Sequence, residues 1–220
     1  MAVLLRYHAS MPPRVARTTL AVAALTLAVA LCGCSESTRE RALPKGSTVV
    51  ALGDSLTHGT GATPDTSYPA MLATLTGWEV VNGGVPGETA AEGCARLPAL
   101  LEDHQPALVL VLLGGNDFLR RMPEQGVIDA LQRCVERSRA ANARIALIVV
   151  PRFGASGIAN APLYESAART MGVPVLESGL ASLLARSAMR ADPVHLNAAG
   201  YREMAGTLTE SLRAVGLLDR

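Results

Sequence analysis

Val49-Val50-Ala51-Leu52-Gly53-Asp54-Ser55-Leu56 is the stretch whose reading decides the fold. Four apolar residues, two of them β-branched, run straight into a Gly-Asp-Ser turn. An uninterrupted apolar run of this length reads as a strand buried on both faces. A buried strand that ends in a tight turn is a good place to present a reactive side chain, here Ser55. A serine alone is a poor nucleophile, so this reading needs a base, a group that orients the base, and donors for a developing oxyanion.

Working outward, the strand pattern recurs. Strands are predicted at Thr48–Leu52, Glu79–Val81, Leu108–Leu113, Arg144–Val150 and Val173–Leu176. Segments of helical apolar period lie between them, at Tyr68–Leu75, Thr89–Glu102, Gly126–Ala141 and Ala161–Met171. A last helix is predicted over Ala198–Val215, with Asn197 as its N-cap. Regular strand-helix alternation with near-continuous apolar strands implies a parallel sheet covered on both faces. About five strands in one domain predict a three-layer α/β/α, flavodoxin-like architecture.

The composition agrees. The 220 residues are 49% hydrophobic but only 3% aromatic, so the core is aliphatic, as in helix-on-sheet packing rather than a β-sandwich. The net charge of +1 and the lack of a basic patch exclude nucleic acid as a partner. No cysteine-histidine cluster suggests zinc.

The first 34 residues read as an address. Arg6, Arg14 and Arg17 precede Thr18–Leu31, an uncharged, weakly apolar run that is short for a membrane span. It ends Leu31-Cys32-Gly33-Cys34, which resembles a bacterial lipobox. Cys34 is the expected lipidated residue, because small Gly33 precedes it whereas bulky Leu31 precedes Cys32. Processing there leaves 17 basic and 19 acidic residues, a net charge of −2. Residues 35–47, polar and containing Pro44 and Gly46, are expected to be a linker, and 48–220 the domain. The remaining Cys94 and Cys134 form an even pair for an oxidising compartment, so either a disulfide or two buried core thiols is open.

Parallel α/β sheets bind ligands beyond the carboxyl ends of their strands. Four segments fall there: Gly53-Asp54-Ser55, Asn82-Gly83-Gly84-Val85-Pro86-Gly87, Gly114-Gly115-Asn116-Asp117 and Asp192-Pro193-Val194-His195. In the last, a carboxylate three residues before a histidine can hold the imidazole in one tautomer and leave its other nitrogen free to take a proton. Gly87 and Asn116 are candidate oxyanion donors, through a backbone N–H and a side-chain amide. His58 and His104 lack a carboxylate in such a turn.

Gly53-Asp54-Ser55-Leu56, Gly87, Gly115-Asn116-Asp117 and Asp192-Pro193-Val194-His195 resemble, in order and spacing, the four blocks of the SGNH (GDSL-type) hydrolases. The resemblance covers Thr48 to about Leu217 and is nearest to small bacterial periplasmic thioesterases, lysophospholipases and arylesterases. It implies a cofactor-free serine esterase acting on acyl esters or thioesters, with Ser55 as nucleophile, His195 as base and Asp192 as its orienting partner. Ser55 N–H, Gly87 N–H and the Asn116 amide would form the oxyanion hole, and Phe118–Pro123 would border the acyl chain. Pro193-Val194 depart from the family pattern and stiffen the Asp-to-His turn. Gly154-Ala155-Ser156-Gly157 is not a nucleophile elbow, since Ile158 stands where the last glycine belongs, and is expected to be a mobile loop. Two other functions fit the same fold: a non-catalytic ligand-binding lipoprotein, and acyl transfer to or deacetylation of envelope glycans. The expected location is the bacterial cell envelope, with a lipid anchor in the membrane.

Overall fold

The structure, a computed structural model, describes residues 42–155 and 157–219. The expected signal peptide, the lipidation site Cys34 and the first part of the linker lie outside these residues. Residues 42–47, read above as the end of a tether, pack on the domain. Leu43 is buried, its N–H donates to the Leu217 carbonyl at 2.9 Å, and its carbonyl accepts from the Trp78 indole at 3.4 Å. A single leucine in a polar stretch thus finds the apolar seam between the start and the end of the domain.

Strand β1 (Thr48–Gly53) is the deciding stretch, and β2 (Glu79–Gly84) and β3 (Leu108–Leu112) pair with it in parallel. β4 (Arg144–Ile148) joins β3, and β7 (Val175–Leu176) joins β4, also in parallel. The order β2-β1-β3-β4-β7 is that of flavodoxin-like sheets. Every residue of β3 is buried, as are the last five of β1, which is why both read as continuous apolar runs.

Helices cover both faces. α2 (Tyr68–Thr76) packs on α8 (Ala198–Ala214); on the other side α3 (Ala90–His104) packs on α5 (Glu124–Ala140), which meets α6 (Leu163–Met171). Asn197 caps α8 as expected, its side chain accepting from Gly200 N–H at 3.0 Å. Cys94 and Cys134 form a disulfide between α3 and α5, with Cα atoms 5.3 Å apart.

Three differences from the sequence reading have physical causes. β2 runs on through Asn82-Gly83-Gly84 rather than stopping at Val81, because it stays paired with β1 as far as Gly53, and glycine at 84 leaves room for the preceding turn at His58. A Cβ on Gly84 would lie 2.1 Å from the backbone nitrogen of His58. Gly154 and Gly157 belong to a hairpin, not a loop: β5 (Pro151–Gly154) pairs antiparallel with β6 (Gly157–Asn160). Three short helices were also not foreseen, α1 (Ser55–His58), α4 (Gly115–Leu119) and α7 (Leu180–Ala185). Each is too short to show a 3.6-residue period.

Candidate active site

The sheet order reverses between β1 and β3, so the chain leaves these neighbouring strands toward opposite faces and opens a crevice at their carboxyl ends. Ser55 follows β1 and Asn116 follows β3, one on either side of that crevice. Ser55 is the first residue of α1, whose N-cap is Asp54. The Asp54 carboxylate accepts from Leu56 N–H at 3.0 Å, which holds the sharp turn out of the strand.

His195 arrives from far along the chain. Its Nε2 lies 2.9 Å from Ser55 Oγ and its Nδ1 2.7 Å from Asp192 Oδ2. The other Asp192 oxygen accepts from Val194 N–H and His195 N–H, both at 2.9 Å, so the carboxylate organises the turn that carries the imidazole. Ala191 N–H to the His195 carbonyl, at 3.0 Å, closes the loop. Burial acts to raise the Asp192 carboxyl, but the hydrogen bonds from the His195 ring and from Val194 and His195 N–H outweigh it and hold the group below the ordinary carboxylate value.

The two glycines of the second segment have different reasons to be glycine. Gly84 needs space, as shown above. Gly87 does not, since a Cβ there would meet nothing nearer than Arg120 Nη2 at 3.9 Å; it needs its φ of +84°. Gly87 lines the crevice with Ser55 and Asn116, and Gly83 and Gly84 stay in the strand. The Asn116 amide donates to the Glu88 carbonyl at 2.9 Å and to Asp54 Oδ2 at 3.3 Å.

The crevice holds about 260 Å³. Its wall beside the serine is apolar, from Leu119, Val150, Phe153 and Leu184. Phe118 turns inward, its ring edge-on to Tyr164 with centroids 6.5 Å apart, so Leu119 is the member of the 118–123 segment that faces the crevice. Phe153 comes from the hairpin, an element the sequence reading had as a mobile loop; strict alternation over four residues is too brief a signal to find it. Among the described residues no group of three or more His, Cys, Asp or Glu side chains could hold a metal ion.

Sequence reasoning also passed over the groups behind the site. Asp117 accepts from Ala90 N–H at 2.8 Å and so ties the start of α3 to the Asn116 segment. Asp54 is almost fully buried, and burial pushes its carboxyl from 3.8 up to about 6. Leu56 N–H and the His195 charge oppose the rise, and Asp117 adds to it. Because the folded state favours the protonated form, stability falls as pH rises from about 4 to about 6 and then levels off. The loss from this group is about 3 kcal/mol. Asp54→Asn is therefore expected to remove that component, read by urea unfolding at pH 4 and pH 7. Equal pH slopes in the two proteins would refute the assignment.

The line Ser55–His195–Asp192 beside an apolar crevice is the arrangement of a nucleophilic hydrolase. The chain belongs to the GDSL-like lipase/acylhydrolase family, whose model matches residues 51–203. It is 31% identical over 180 residues to the esterase TesA of Pseudomonas aeruginosa, covering 76% of this chain and 89% of that one. It is 37% identical over 137 residues to the thioesterase 1/protease 1/lysophospholipase L1 of Escherichia coli, covering 59% of this chain and 65% of the relative's length. A solved structure of TesA superposes with a TM-score of 0.68 at 27% identity, covering 76% of this chain and 99% of that one. The psychrotrophic esterase EstA from Pseudoalteromonas shares the fold with the same TM-score at 24% identity, covering 76% and 97%.

Proposed function

We propose that this chain is a serine esterase that hydrolyses acyl esters or thioesters through an acyl-enzyme. The observation that carries the reading is the continuous hydrogen-bonded line from Ser55 Oγ through the His195 ring to Asp192, opening on an apolar crevice. Family membership and relatives described as esterase, thioesterase and lysophospholipase support it.

Ser55 Oγ attacks the substrate carbonyl carbon as His195 Nε2 takes its proton. Asp192 keeps the other ring proton on Nδ1 and stabilises the imidazolium. The C–O or C–S bond then breaks, and the imidazolium protonates the departing alcohol or thiol. Water enters, gives its proton to His195, and attacks the acyl carbon; Ser55 leaves with that proton returned. The oxyanion of each tetrahedral intermediate is held by Ser55 N–H, Gly87 N–H and the Asn116 amide. Asn116 turns toward the oxyanion the N–H that makes its longer bond to Asp54. Ser55 N–H, in the first turn of α1, has no partner within the helix. Loss of one such donor costs about 10²–10³ in kcat, so Asn116→Ala is expected to fall in that range with KM little changed. Steady-state kinetics on p-nitrophenyl butyrate would check it, and a kcat within threefold of wild type would remove Asn116 from the oxyanion hole.

The acyl group would lie along Leu119, Phe153 and Leu184. The chain would work in the bacterial cell envelope, cleaved before Cys34 and anchored by lipid on that cysteine. The Thr18–Leu31 run, the lipobox-like Leu31-Cys32-Gly33-Cys34 and the Cys94–Cys134 bond, which suits an oxidising compartment, support this. Metabolic labelling with an alkyne palmitate tests the anchor: label should appear on the wild type and vanish with Cys34→Ala.

A further inference from the structure

Behind the crevice, one guanidinium joins segments that the proposed chemistry requires in register. Arg96 sits in the second turn of α3, is half-buried, and does not line the crevice. Its Nε donates to both oxygens of Glu88 at 2.8 Å. Its Nη2 donates to the Gly53 carbonyl at 3.2 Å and to the Gly83 carbonyl at 2.5 Å. Gly53 is the last residue of β1, two before Ser55. Glu88 follows Gly87, and its own carbonyl accepts the Asn116 amide. The three segments thus tied together carry Ser55 and two of the three proposed oxyanion donors.

We infer that Arg96 and Glu88 are positioning residues that set Gly87 N–H and the Asn116 amide at the distance from Ser55 that the oxyanion requires. The inference rests on the esterase reading above. The geometry gives the reason for an arginine. The rigid guanidinium plane fixes Nε on the Glu88 carboxylate while Nη2 serves the two carbonyls, whereas a lysine would have to serve all three segments from one nitrogen on a flexible stem. The loop between β2 and α3 is also held by Val85 N–H on the Gly53 carbonyl at 3.0 Å, but among the described residues the Arg96 guanidinium alone joins it to both β1 and β2. Arg120 donates to the Gly87 carbonyl at 2.7 Å, but from an exposed side chain at the rim. Neither Arg96 nor Glu88 lines the crevice, so their loss should act on the transition state and leave ground-state binding alone. A displacement near 1 Å at such a site costs on the order of 10²-fold in rate.

The test uses the full chain and compares wild type with Arg96→Lys and Glu88→Gln. Three quantities are measured well below each variant's melting temperature: kcat and KM for p-nitrophenyl butyrate, and inhibition by butylboronic acid, whose serine adduct imitates the tetrahedral intermediate. Arg96→Lys is expected to lose about 10–100-fold in kcat with KM within twofold. Boronate inhibition should weaken by the same factor. Glu88→Gln, which keeps one acceptor oxygen for the fork, should fall between Arg96→Lys and wild type; it carries the test alone if Arg96→Lys does not fold. A purely structural role would lower the melting temperature and leave kcat and boronate affinity of the folded protein unchanged, and that result overturns the inference. An active wild type with unaltered variants sinks this inference only. A wild type with neither turnover nor boronate binding sinks the esterase reading and this inference with it.

Discussion

Ser55→Ala is expected to lower kcat for ester hydrolysis by about 10⁶-fold while the domain stays folded. The size follows from the geometry. Ser55 Oγ lies 2.9 Å from His195 Nε2 at the mouth of an apolar crevice, and no other hydroxyl is bonded to that nitrogen among the described residues. Alanine keeps the helical conformation of the first residue of α1 and leaves the Asp54 cap on Leu56 N–H in place. The hydroxyl it removes is only half-buried, so the stability change should be under about 1 kcal/mol. The assay is a series of p-nitrophenyl esters from acetate to palmitate, run beside circular dichroism of both proteins. Turnover that survives in a folded Ser55→Ala would end the nucleophile assignment. The chain-length optimum of the wild type separates a short-acyl from a long-acyl enzyme. A ligand-binding protein on the same fold would show no ester turnover in either protein.

Breaking the Cys94–Cys134 bond is the second large effect, and it is one of stability. The bond closes a loop across a sequence separation of 40 residues and joins α3 to α5 on one face of the sheet. Cross-linking a chain over that length removes loop-closure entropy from the unfolded state worth about 4 kcal/mol. Both cysteines are fully buried in the core, so Cys94→Ser with Cys134→Ser also places two hydroxyls among aliphatic side chains. The double variant is expected to lose at least about 4 kcal/mol in urea unfolding, the cross-link's share alone. For a domain of this size that is a fall of about 8–16 °C in melting temperature. Cys94→Ala with Cys134→Ala separates the two contributions, since it leaves the loop open without burying a hydroxyl. A double-alanine variant as stable as the wild type would show that the cross-link contributes nothing.

The strands, the long helices and the four segments at the strand ends are legible in the sequence because each has a local cause. An apolar run such as Leu108–Leu112 has one use in a protein of this composition, and Asn197 before the apolar stripe of Ala198–Ala214 marks its own helix start. The pattern of Gly53-Asp54-Ser55, Gly87, Asn116 and Asp192–His195 singled out the residues that the structure gathers around one crevice. The hairpin β5–β6 was not legible, and with it the placement of Phe153 on the crevice wall. Four residues a side are too few for a period, and two glycines at its tip read equally well as a loop.

What the sequence by itself determined is the set of chemical parts and the order in which a parallel sheet presents them. Hydrophobic period and turn chemistry are properties of neighbouring residues. Only the tertiary structure decided how the parts meet. Ser55 and His195 are 140 residues apart and share one hydrogen bond, Cys94 and Cys134 are joined rather than merely buried, and Gly87 rather than Gly83 or Gly84 faces the crevice. The Arg96 fork, with partners at 53, 83 and 88, leaves no local signature at all. Hydrogen-bond geometry depends on where several segments end in space, and that is set by the packing of the whole domain.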